Sequence, residues 1–256
     1  MTTTGDHALA ADLAVRAGRL LLDLRSGGGD PDVLKKAGDR SSHEFLMAEL
    51  AAARPGDAVL SEEGTDSKAR LTADRVWIVD PLDGTRQFGE AGRTDWAVHV
   101  ALWQRFAADG TPGLTAGAVA LPAQGAVLST LEPAAAPPVV ERPLRLVVSR
   151  SRPSRLVKDV TALLNAEIVP CGSAGAKAAT VLAGENDAYL HSGGFYEWDT
   201  AAPAAVARAA GYHVSRIDGS DVAYNQDNPL MPDILLCRPA IAALLLNAIR
   251  AATHAI

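Results

Sequence analysis

The first half of the chain combines two helical patterns with a series of short apolar runs. Leucine and alanine recur at helical spacing over residues 8–24, "SGGGDP" interrupts the pattern, and a second helix is predicted at about 42–53. The apolar runs that follow are typical of strands. One of them, "WAVHVALW", alternates apolar with small or polar residues, as a half-buried antiparallel strand does. The predicted strands are residues 58–61, 76–80, 96–103, 114–121 and 125–130.

The second half of the chain shows a different pattern, in which apolar runs alternate with helices. The runs "LRLVVS", "EIVPC" and "DAYL" each precede a predicted helix. They are followed by "YHVSRI", "DILLC" and a last helix. Alternation of this kind is typical of an α/β fold. The predicted helices are at about 153–165, 173–183, 199–210 and 239–252.

A segment rich in proline and alanine, "EPAAAPPVVERP" at residues 132–143, separates the two patterns and is typical of a surface linker. We therefore predict an α/β protein with an α+β domain at residues 1–135 and an α/β domain at residues 140–256. A length of 256 residues, of which 48% are hydrophobic, is sufficient for a sizeable core.

Composition and charge disfavour several classes of protein. The formal net charge of −6 disfavours a protein that binds nucleic acid polymers through a large basic surface. The first residues, "MTTTGDHALA", lack the features of a signal peptide, and the longest apolar runs are too short to span a membrane. Cys171 and Cys237 form neither a zinc-binding nor a disulfide pattern. We predict a cytoplasmic protein without a membrane or nucleic acid partner.

The stretch "VDPLDGTRQF" at residues 79–88 brings two carboxylates together at a predicted turn. Asp80 ends an apolar strand, a proline fixes the turn, and Gly84 and Thr85 are predicted to begin a helix, whose free N–H groups suit a phosphate. Asp80 and Asp83 would repel each other, and a divalent cation would remove that repulsion. Because the motif contains no histidine or cysteine, its oxygen ligands favour magnesium over zinc.

Two further acidic motifs change the interpretation of that turn. An isolated D-x-x-D-G is typical of a structural turn, since aspartate bonds nearby backbone N–H groups. However, "LSEEG" places Glu62 and Glu63 at the end of another predicted strand, and "EWDTAAP" places Asp199 at a predicted helix start. Asp199 alone could serve as a helix cap, but three acidic motifs at element ends favour one metal-binding pocket.

These motifs, "LSEEG", "WIVDPLDGTRQF" and "EWDTAA" in that order, resemble those of the magnesium-dependent, lithium-sensitive phosphatase superfamily. That superfamily includes inositol monophosphatase, fructose 1,6-bisphosphatase and the 3′(2′),5′-bisphosphate nucleotidases. The resemblance implies a layered αβαβα sugar-phosphatase-like fold, inhibition by lithium and a possible homodimer. Within the superfamily, "LSEE", "VVSRSR" and "EWDTAA" are most similar to the bacterial enzymes that act on 3′-phosphoadenosine 5′-phosphate, a by-product of sulfate assimilation.

The resemblance implies a metal site and assigns its ligands by position. Four carboxylates and one backbone carbonyl would hold two or three magnesium ions. Glu62 rather than Glu63 matches the ligand position, and neighbours on a strand face opposite ways. The implied ligands are Glu62, Asp80, Leu82, Asp83 and Asp199.

The resemblance also implies roles around the reacting phosphate. Gly84 and Thr85 match the turn that binds this phosphate. Asp39 matches an aspartate that helps Thr85 orient the attacking water, although the usual threonine upstream of it is missing. His191 stands where relatives often have an arginine. Contacts to the rest of the substrate are implied for Ser173, Lys177 and Glu197.

The predicted reaction is hydrolysis of 3′-phosphoadenosine 5′-phosphate to AMP and phosphate by metal-activated water, without a covalent enzyme intermediate. An alternative keeps this chemistry and exchanges the substrate for inositol monophosphate or fructose 1,6-bisphosphate. An aspartyl-phosphate phosphatase would have D-x-D, whereas this chain has D-x-x-D with a proline after Asp80. A non-catalytic protein that kept the fold is a further alternative, which the intact acidic set disfavours.

Overall fold

The first half of the chain forms a five-stranded sheet in the computed structural model, which describes residues 4–138, 141–151 and 153–254. Its strands are β1 (Ala58–Ser61), β2 (Arg75–Asp83), β3 (Ala97–Gln104), β4 (Gly113–Leu121) and β5 (Ala126–Ser129). They lie side by side in sequence order, with β1 parallel to β2 and the other neighbours antiparallel. Each corresponds to a strand predicted from the sequence.

The second half forms another five-stranded sheet, in which the strand order departs from the sequence order. Its strands are β6 (Arg145–Ser149), β7 (Glu167–Cys171), β8 (Ala188–Tyr196), β9 (His213–Ser215) and β10 (Leu230–Cys237). Their order in the sheet is β7-β6-β8-β10-β9. Strand β6 runs parallel to β7 and β8, whereas β10 is antiparallel to β8 and β9.

Helices cover the outer faces of both sheets and fill the space between them. They are α1 (Thr4–Ser26), α2 (Pro31–Ala53), α3 (Thr85–Gly89), α4 (Arg155–Leu163), α5 (Ala174–Leu182), α6 (Glu197–Ala209) and α7 (Pro239–His254). Helices α1 and α2 pack on the outer face of the first sheet, α5 and α6 lie between the sheets, and α4 and α7 cover the second sheet. This arrangement is the predicted αβαβα layering.

Strand β3 departs from its prediction, because all eight of its residues are buried. The alternation in "WAVHVALW" predicted one solvated face, and this was wrong. Val98 and Val100 face the α1–α2 layer, while Ala97 and Ala101 face the α5–α6 layer. Both faces of the strand are therefore covered by helices. The small and polar residues of the strand pack against the middle helical layer and do not face solvent.

Helix α2 begins well before its predicted start near residue 42. Asp30 accepts hydrogen bonds from the N–H groups of Asp32 and Val33, and Pro31 occupies the first turn, where its missing N–H costs nothing. The helix break at "SGGGDP" is confirmed, but the second helix follows it immediately. Asp39 consequently projects from a helix, which holds it firmly beside the end of β2.

The two predicted domains share one hydrophobic core. Helix α6, from the second half of the chain, packs against β2, β3 and β4 of the first sheet as well as against β9 and β10 of the second. A division of the chain near residues 135–140 stays a prediction, since the middle helical layer serves both sheets. Among the described residues, every helix is either too short or too polar to cross a membrane.

Candidate active site

The carboxyl groups of Asp80, Asp83 and Asp199 meet at one point between the two sheets. One oxygen from each lies within 4.8 Å of the others. Asp80 and Asp83 come from the end of β2, where the pairing with β3 is irregular and places both residues on the same side. Asp199 lies in the first turn of α6, and its Oδ2 accepts a hydrogen bond from the Tyr196 N–H at 2.6 Å. The structure therefore unites three predicted metal ligands that are far apart in the sequence.

Burial, together with the crowding of negative charge, raises the pKa values of several of these groups. Burial, followed by the charges of Glu62 and Asp83, raises the pKa of Asp80 well above its ordinary value, and its side chain is only 1% exposed. Burial and the Asp83 charge raise the pKa of Asp199 to about 6. Carboxyl groups that are this close and this poorly compensated form a donor set that suits a hard divalent cation.

Glu62 joins the cluster through Asp80, and Glu63 does not. Desolvation, followed by the charge of Asp199, raises the pKa of Glu62 to about 7, although much of the residue remains exposed to solvent. A hydrogen bond links the Glu62 and Asp80 carboxyl groups. Glu63 makes no such bond and acts only through its charge, which raises the pKa values of both Glu62 and Asp39. Glu62 rather than Glu63 therefore contacts the acidic cluster, and its role as a metal ligand stays a prediction.

Asp83 is held differently from the other carboxylates. Its Oδ1 accepts the N–H of Ala174 at 3.1 Å, and its Oδ2 accepts the N–H of Gly175 at 2.7 Å, both at the start of α5. Burial alone would raise the pKa of Asp83, but the neighbouring charges of His99 and Lys177 and the Gly175 N–H lower it below the ordinary value. Asp83 is therefore a compensated carboxylate that ties the end of β2 to α5.

His99, on β3, is a residue of the site that sequence reasoning missed. It is 0% exposed, and its Nε2 lies 3.1 Å from Asp83 Oδ2. Burial would lower the pKa of His99, but the Asp83 carboxylate raises it. A signal was present in the sequence, because histidine is the most polar residue of "WAVHVALW", but only the fold reveals that this strand is buried on both faces.

Thr85 and Asp39 lie against each other beside the cluster. The Thr85 hydroxyl is 3.0 Å from Asp39 Oδ1 and 3.1 Å from the carbonyl oxygen of Leu82, so its single proton is shared between two acceptors. Burial raises the pKa of Asp39 to about 6, and the hydrogen bond from Thr85 opposes the rise. This contact is the one that the predicted catalytic pair requires, and the roles of both residues stay predictions.

The turn between β2 and α3 requires glycine at Gly84. Its φ of +90° lies in the left-handed region, and a Cβ at this position would come within 3.0 Å of Ser173 Cβ. The neighbouring Leu82 donates its N–H to Asp80 Oδ1 at 3.0 Å. The turn thus fixes the Asp80 carboxylate and the Leu82 carbonyl with respect to each other. The predicted roles of Leu82 as a metal ligand and Gly84 as a phosphate contact remain untested.

A cavity of about 210 Å³ opens beside the acidic cluster and is lined by residues from both halves of the chain. Several of its polar side chains were not predicted to belong to the site. Two lie in "DGTRQF" and two in "VVSRSR", motifs that carried the resemblance, so the sequence held a signal for them. Its lining includes Asp83, Gly84, Arg86, Gln87, Ser149, Ser151, Ser173, Lys177, Tyr189, His191, Phe195 and Asp199.

The three predicted substrate contacts occupy different positions. Ser173 lines the cavity and caps α5, where its hydroxyl accepts the Ala176 N–H at 2.9 Å. Lys177 also lines the cavity but is 4% exposed, and its Nζ donates to the carbonyl oxygens of Ser173, at 2.8 Å, and Gly172. Glu197 is fully buried outside this lining. Its substrate role stays a prediction.

His191 lines the same cavity as an uncharged imidazole. Burial and the nearby charge of Lys177 lower the pKa of His191 to about 4. Its ring meets the edge of Phe195 with centroids 4.7 Å apart, and its buried Nε2 has no hydrogen-bond partner among the described residues. At neutral pH this position therefore offers a substrate a hydrogen-bonding ring and an aromatic face rather than a positive charge.

The sequence matches known proteins over nearly its whole length. The inositol monophosphatase family profile matches residues 14–254. The 3′-phosphoadenosine 5′-phosphate phosphatase of Mycobacterium leprae (strain TN) is 53% identical over 253 residues, which cover 96% of this chain and 93% of that protein. The 3′(2′),5′-bisphosphate nucleotidase CysQ of Escherichia coli (strain K12) is 30% identical over 230 residues, which cover 83% of this chain and 91% of that protein.

The fold also matches solved structures. CysQ from Bacteroides thetaiotaomicron, described as a bacterial member of the inositol monophosphatase family, superimposes with a TM-score of 0.79 at 26% identity. The superposition covers 92% of this chain and 97% of that one. The fold class predicted from the motifs is therefore confirmed.

Proposed function

The chain belongs to the inositol monophosphatase family, and from this premise we propose that it is a phosphomonoesterase that converts 3′-phosphoadenosine 5′-phosphate to AMP and phosphate. The acidic cluster of Asp80, Asp83 and Asp199 is the observation that carries a metal-dependent reaction. Identity of 53% across almost the full length of a 3′-phosphoadenosine 5′-phosphate phosphatase supports the substrate. Inositol monophosphate and fructose 1,6-bisphosphate are the alternatives that an activity comparison must exclude.

We propose magnesium as the metal, in two or three ions, because the cluster offers oxygen ligands only. The carboxylates of Glu62, Asp80, Asp83 and Asp199 and the carbonyl of Leu82 would hold it. Bound magnesium would supply charge neutralisation for the phosphate and would lower the pKa of a water molecule. Competition by lithium for this site and a place in sulfate assimilation belong to the same proposal. A cytoplasmic location and a homodimer stay predictions.

The protein's own contribution to the reaction centres on Thr85. When its hydroxyl donates to Asp39 Oδ1, its oxygen lone pairs are free to accept a proton from the attacking water. Helix α2 supports Asp39 and the β2–α3 turn supports Thr85, so rigid elements hold the pair. Because a phosphoryl transfer depends mainly on positioning and electrostatics, such a fixed pair is sufficient without a nucleophilic side chain.

The cavity supplies the groups that would hold the rest of the substrate. Arg86 and Lys177 offer positive charge, Ser149 and Ser151 lie at the end of β6, and His191 faces the same space. A second phosphate group would meet these cations and the aromatic ring of the nucleotide would find apolar surface at Phe195. Inositol monophosphate lacks both features, so it would leave part of this cavity unused.

Phosphate release from a panel of substrates tests the proposed function. With magnesium present, kcat/KM for 3′-phosphoadenosine 5′-phosphate should exceed that for inositol 1-phosphate by at least about tenfold, or roughly 1.4 kcal/mol of transition-state binding. Fructose 1,6-bisphosphate should be as poor a substrate as inositol 1-phosphate. Equal or reversed values would favour an alternative substrate, and no release from any substrate would favour a non-catalytic protein. The Asp80→Asn variant provides the inactive control.

A further inference from the structure

His99 sits in the middle of the molecule, in a place where an unpaired imidazole would be costly. It lies in β3, whose two faces are covered by helical layers, and it is 0% exposed. In the register of the sheet it stands directly opposite Asp80 on β2. A polar ring buried this deeply needs partners for its nitrogen atoms. The groups next to its two ring nitrogens indicate the role of the ring.

Both partners of His99 belong to segments that carry metal ligands. Its Nδ1 lies 3.1 Å from the carbonyl oxygen of Trp198, the residue before Asp199. A carbonyl oxygen only accepts, so Nδ1 carries a proton and donates it. Its Nε2 lies 3.1 Å from Asp83 Oδ2, as an ion-pair contact that is not aligned as a hydrogen bond. The ring therefore spans from the end of β2 to the first turn of α6.

The start of α5 closes around the same carboxylate oxygen. A Cβ on Gly175 would lie 2.3 Å from His99 Nε2 and 2.9 Å from Ala97 Cβ, so glycine is required there. This close approach lets the Gly175 N–H reach Asp83 Oδ2 at 2.7 Å. His99 and Gly175 together surround Oδ2, whereas the protein contact described for Oδ1 is the Ala174 N–H at 3.1 Å. Oδ1 is thus the oxygen with room for another ligand.

We propose that His99 is a positioning residue for the metal site: it fixes Asp83 so that one oxygen, Oδ1, is available to a cation, and it holds the Asp199 segment at the matching distance. This inference rests on the proposed function for its assignment of the acidic cluster to a metal. It adds a residue from outside the acidic motifs, one that would set the affinity for the metal without touching it. Partners of metal ligands commonly have this effect.

Two amide substitutions separate the contacts of the two ring nitrogens. In His99→Gln the amide nitrogen can reach the position of Nε2 and restore the contact with Asp83. In His99→Asn the shorter amide can restore only the contact with the Trp198 carbonyl. Val100→Ala is the control, since Val100 is equally buried on the same strand but packs towards α1 and α2.

The Kd for magnesium, measured by calorimetry without substrate, tests the proposal. We expect His99→Asn to weaken binding by about 10- to 100-fold, His99→Gln to recover most of it, and Val100→Ala to lower the Tm without changing the Kd. An unchanged or tighter Kd in His99→Asn, or an equal loss in both amide variants, would overturn the proposal. Because no substrate is present, failure to hydrolyse 3′-phosphoadenosine 5′-phosphate would overturn the proposed function and leave this result standing.

A measurement on the unsubstituted protein covers the case in which His99→Asn does not fold. The ¹⁵N signals of the histidine rings should be followed by NMR during a magnesium titration. The Nε2 signal of His99 should shift, whereas that of His213, which pairs with Ser215 on β9, should not. A His99 signal that stays in place at magnesium saturation would show that the ring serves only the core.

Discussion

At the scale of single residues, the Thr85 hydroxyl is the group whose removal should affect the chemical step alone. This hydroxyl contacts Asp39 and the Leu82 carbonyl. Alanine at this position lacks the hydroxyl, whereas serine keeps it. We expect Thr85→Ala to lower kcat by about 100-fold with little change in KM, which is the scale of general-base assistance. Thr85→Ser, which keeps the hydroxyl, should retain most of the activity. A main effect on KM in steady-state kinetics would contradict this role.

The two adjacent glutamates should differ in their effect on the metal requirement. Glu62 is linked to Asp80 by a hydrogen bond, whereas Glu63 acts on Glu62 and Asp39 only through its charge. Glu62→Gln should therefore raise the magnesium concentration needed for half-maximal activity by at least about tenfold, and Glu63→Gln should raise it much less. Activity measured across a magnesium titration gives both values. The reverse ranking would mean that Glu63 is the ligand.

Residue types and motifs were sufficient to predict most of the acidic site. Asp80, Asp83 and Asp199 meet as the motifs indicated. His99 could not be predicted, because its role depends on the pairing of β3 with β2 and on the approach of α5, which are tertiary features. The same limit applies to Glu197. Its position two residues before Asp199 does not indicate whether its carboxylate faces the cavity or the protein interior.

At the scale of secondary structure elements, the start of α6 depends on Glu197. Its carboxylate accepts the N–H groups of Asn225 at 2.6 Å and Gln226 at 2.8 Å, and Arg70 binds the same loop through the Asn225 side chain at 2.8 Å. Glu197→Ala would leave the buried N–H of Asn225 and the part-buried N–H of Gln226 without this partner. We expect a loss of about 2–3 kcal/mol in the free energy of unfolding.

Denaturant unfolding and steady-state kinetics of Glu197→Ala together distinguish two roles. If the carboxylate mainly fixes the loop, stability should fall while KM for the substrate stays within about twofold of the unsubstituted value. Glu185→Ala, at an exposed position in a loop, serves as the control for stability. A large rise in KM with unchanged stability would instead support the predicted substrate contact.

Elements were easier to predict than the layers that they form. The strands and most helices follow from local periodicity, and their predicted positions agree with the structure to within a few residues, except that β8 extends to Tyr196, well beyond the predicted run "DAYL". The start of α2 was misplaced because the apolar pattern near residue 31 is weak, while the cap at Asp30 is sufficient to begin the helix there. The burial of β3 on both faces depends on α6, which is contributed by a distant part of the chain.

At the scale of the whole molecule, the acidic cluster should make stability depend jointly on pH and magnesium. The pKa of Glu62 is about 7 and that of Asp199 about 6 in the metal-free protein, both above the ordinary carboxyl value of about 4. Between the ordinary value of about 4 and the raised values of about 6 and 7, the folded state binds more protons at these groups than the unfolded state does. Their contribution to the free energy of unfolding is therefore lost as the pH rises through that window.

Magnesium should reverse this loss, because it binds the deprotonated carboxylates. We expect the difference in Tm between magnesium-saturated and chelator-treated protein to widen from about pH 5 to about pH 8. His191, whose pKa burial lowers to about 4, titrates in both samples and cancels from that difference. In Asp80→Asn the difference should be small at every pH, because the variant loses both a ligand and part of the charge repulsion. Thermal unfolding curves with the same Tm difference at both pH values would show that these carboxyl groups do not form the metal site.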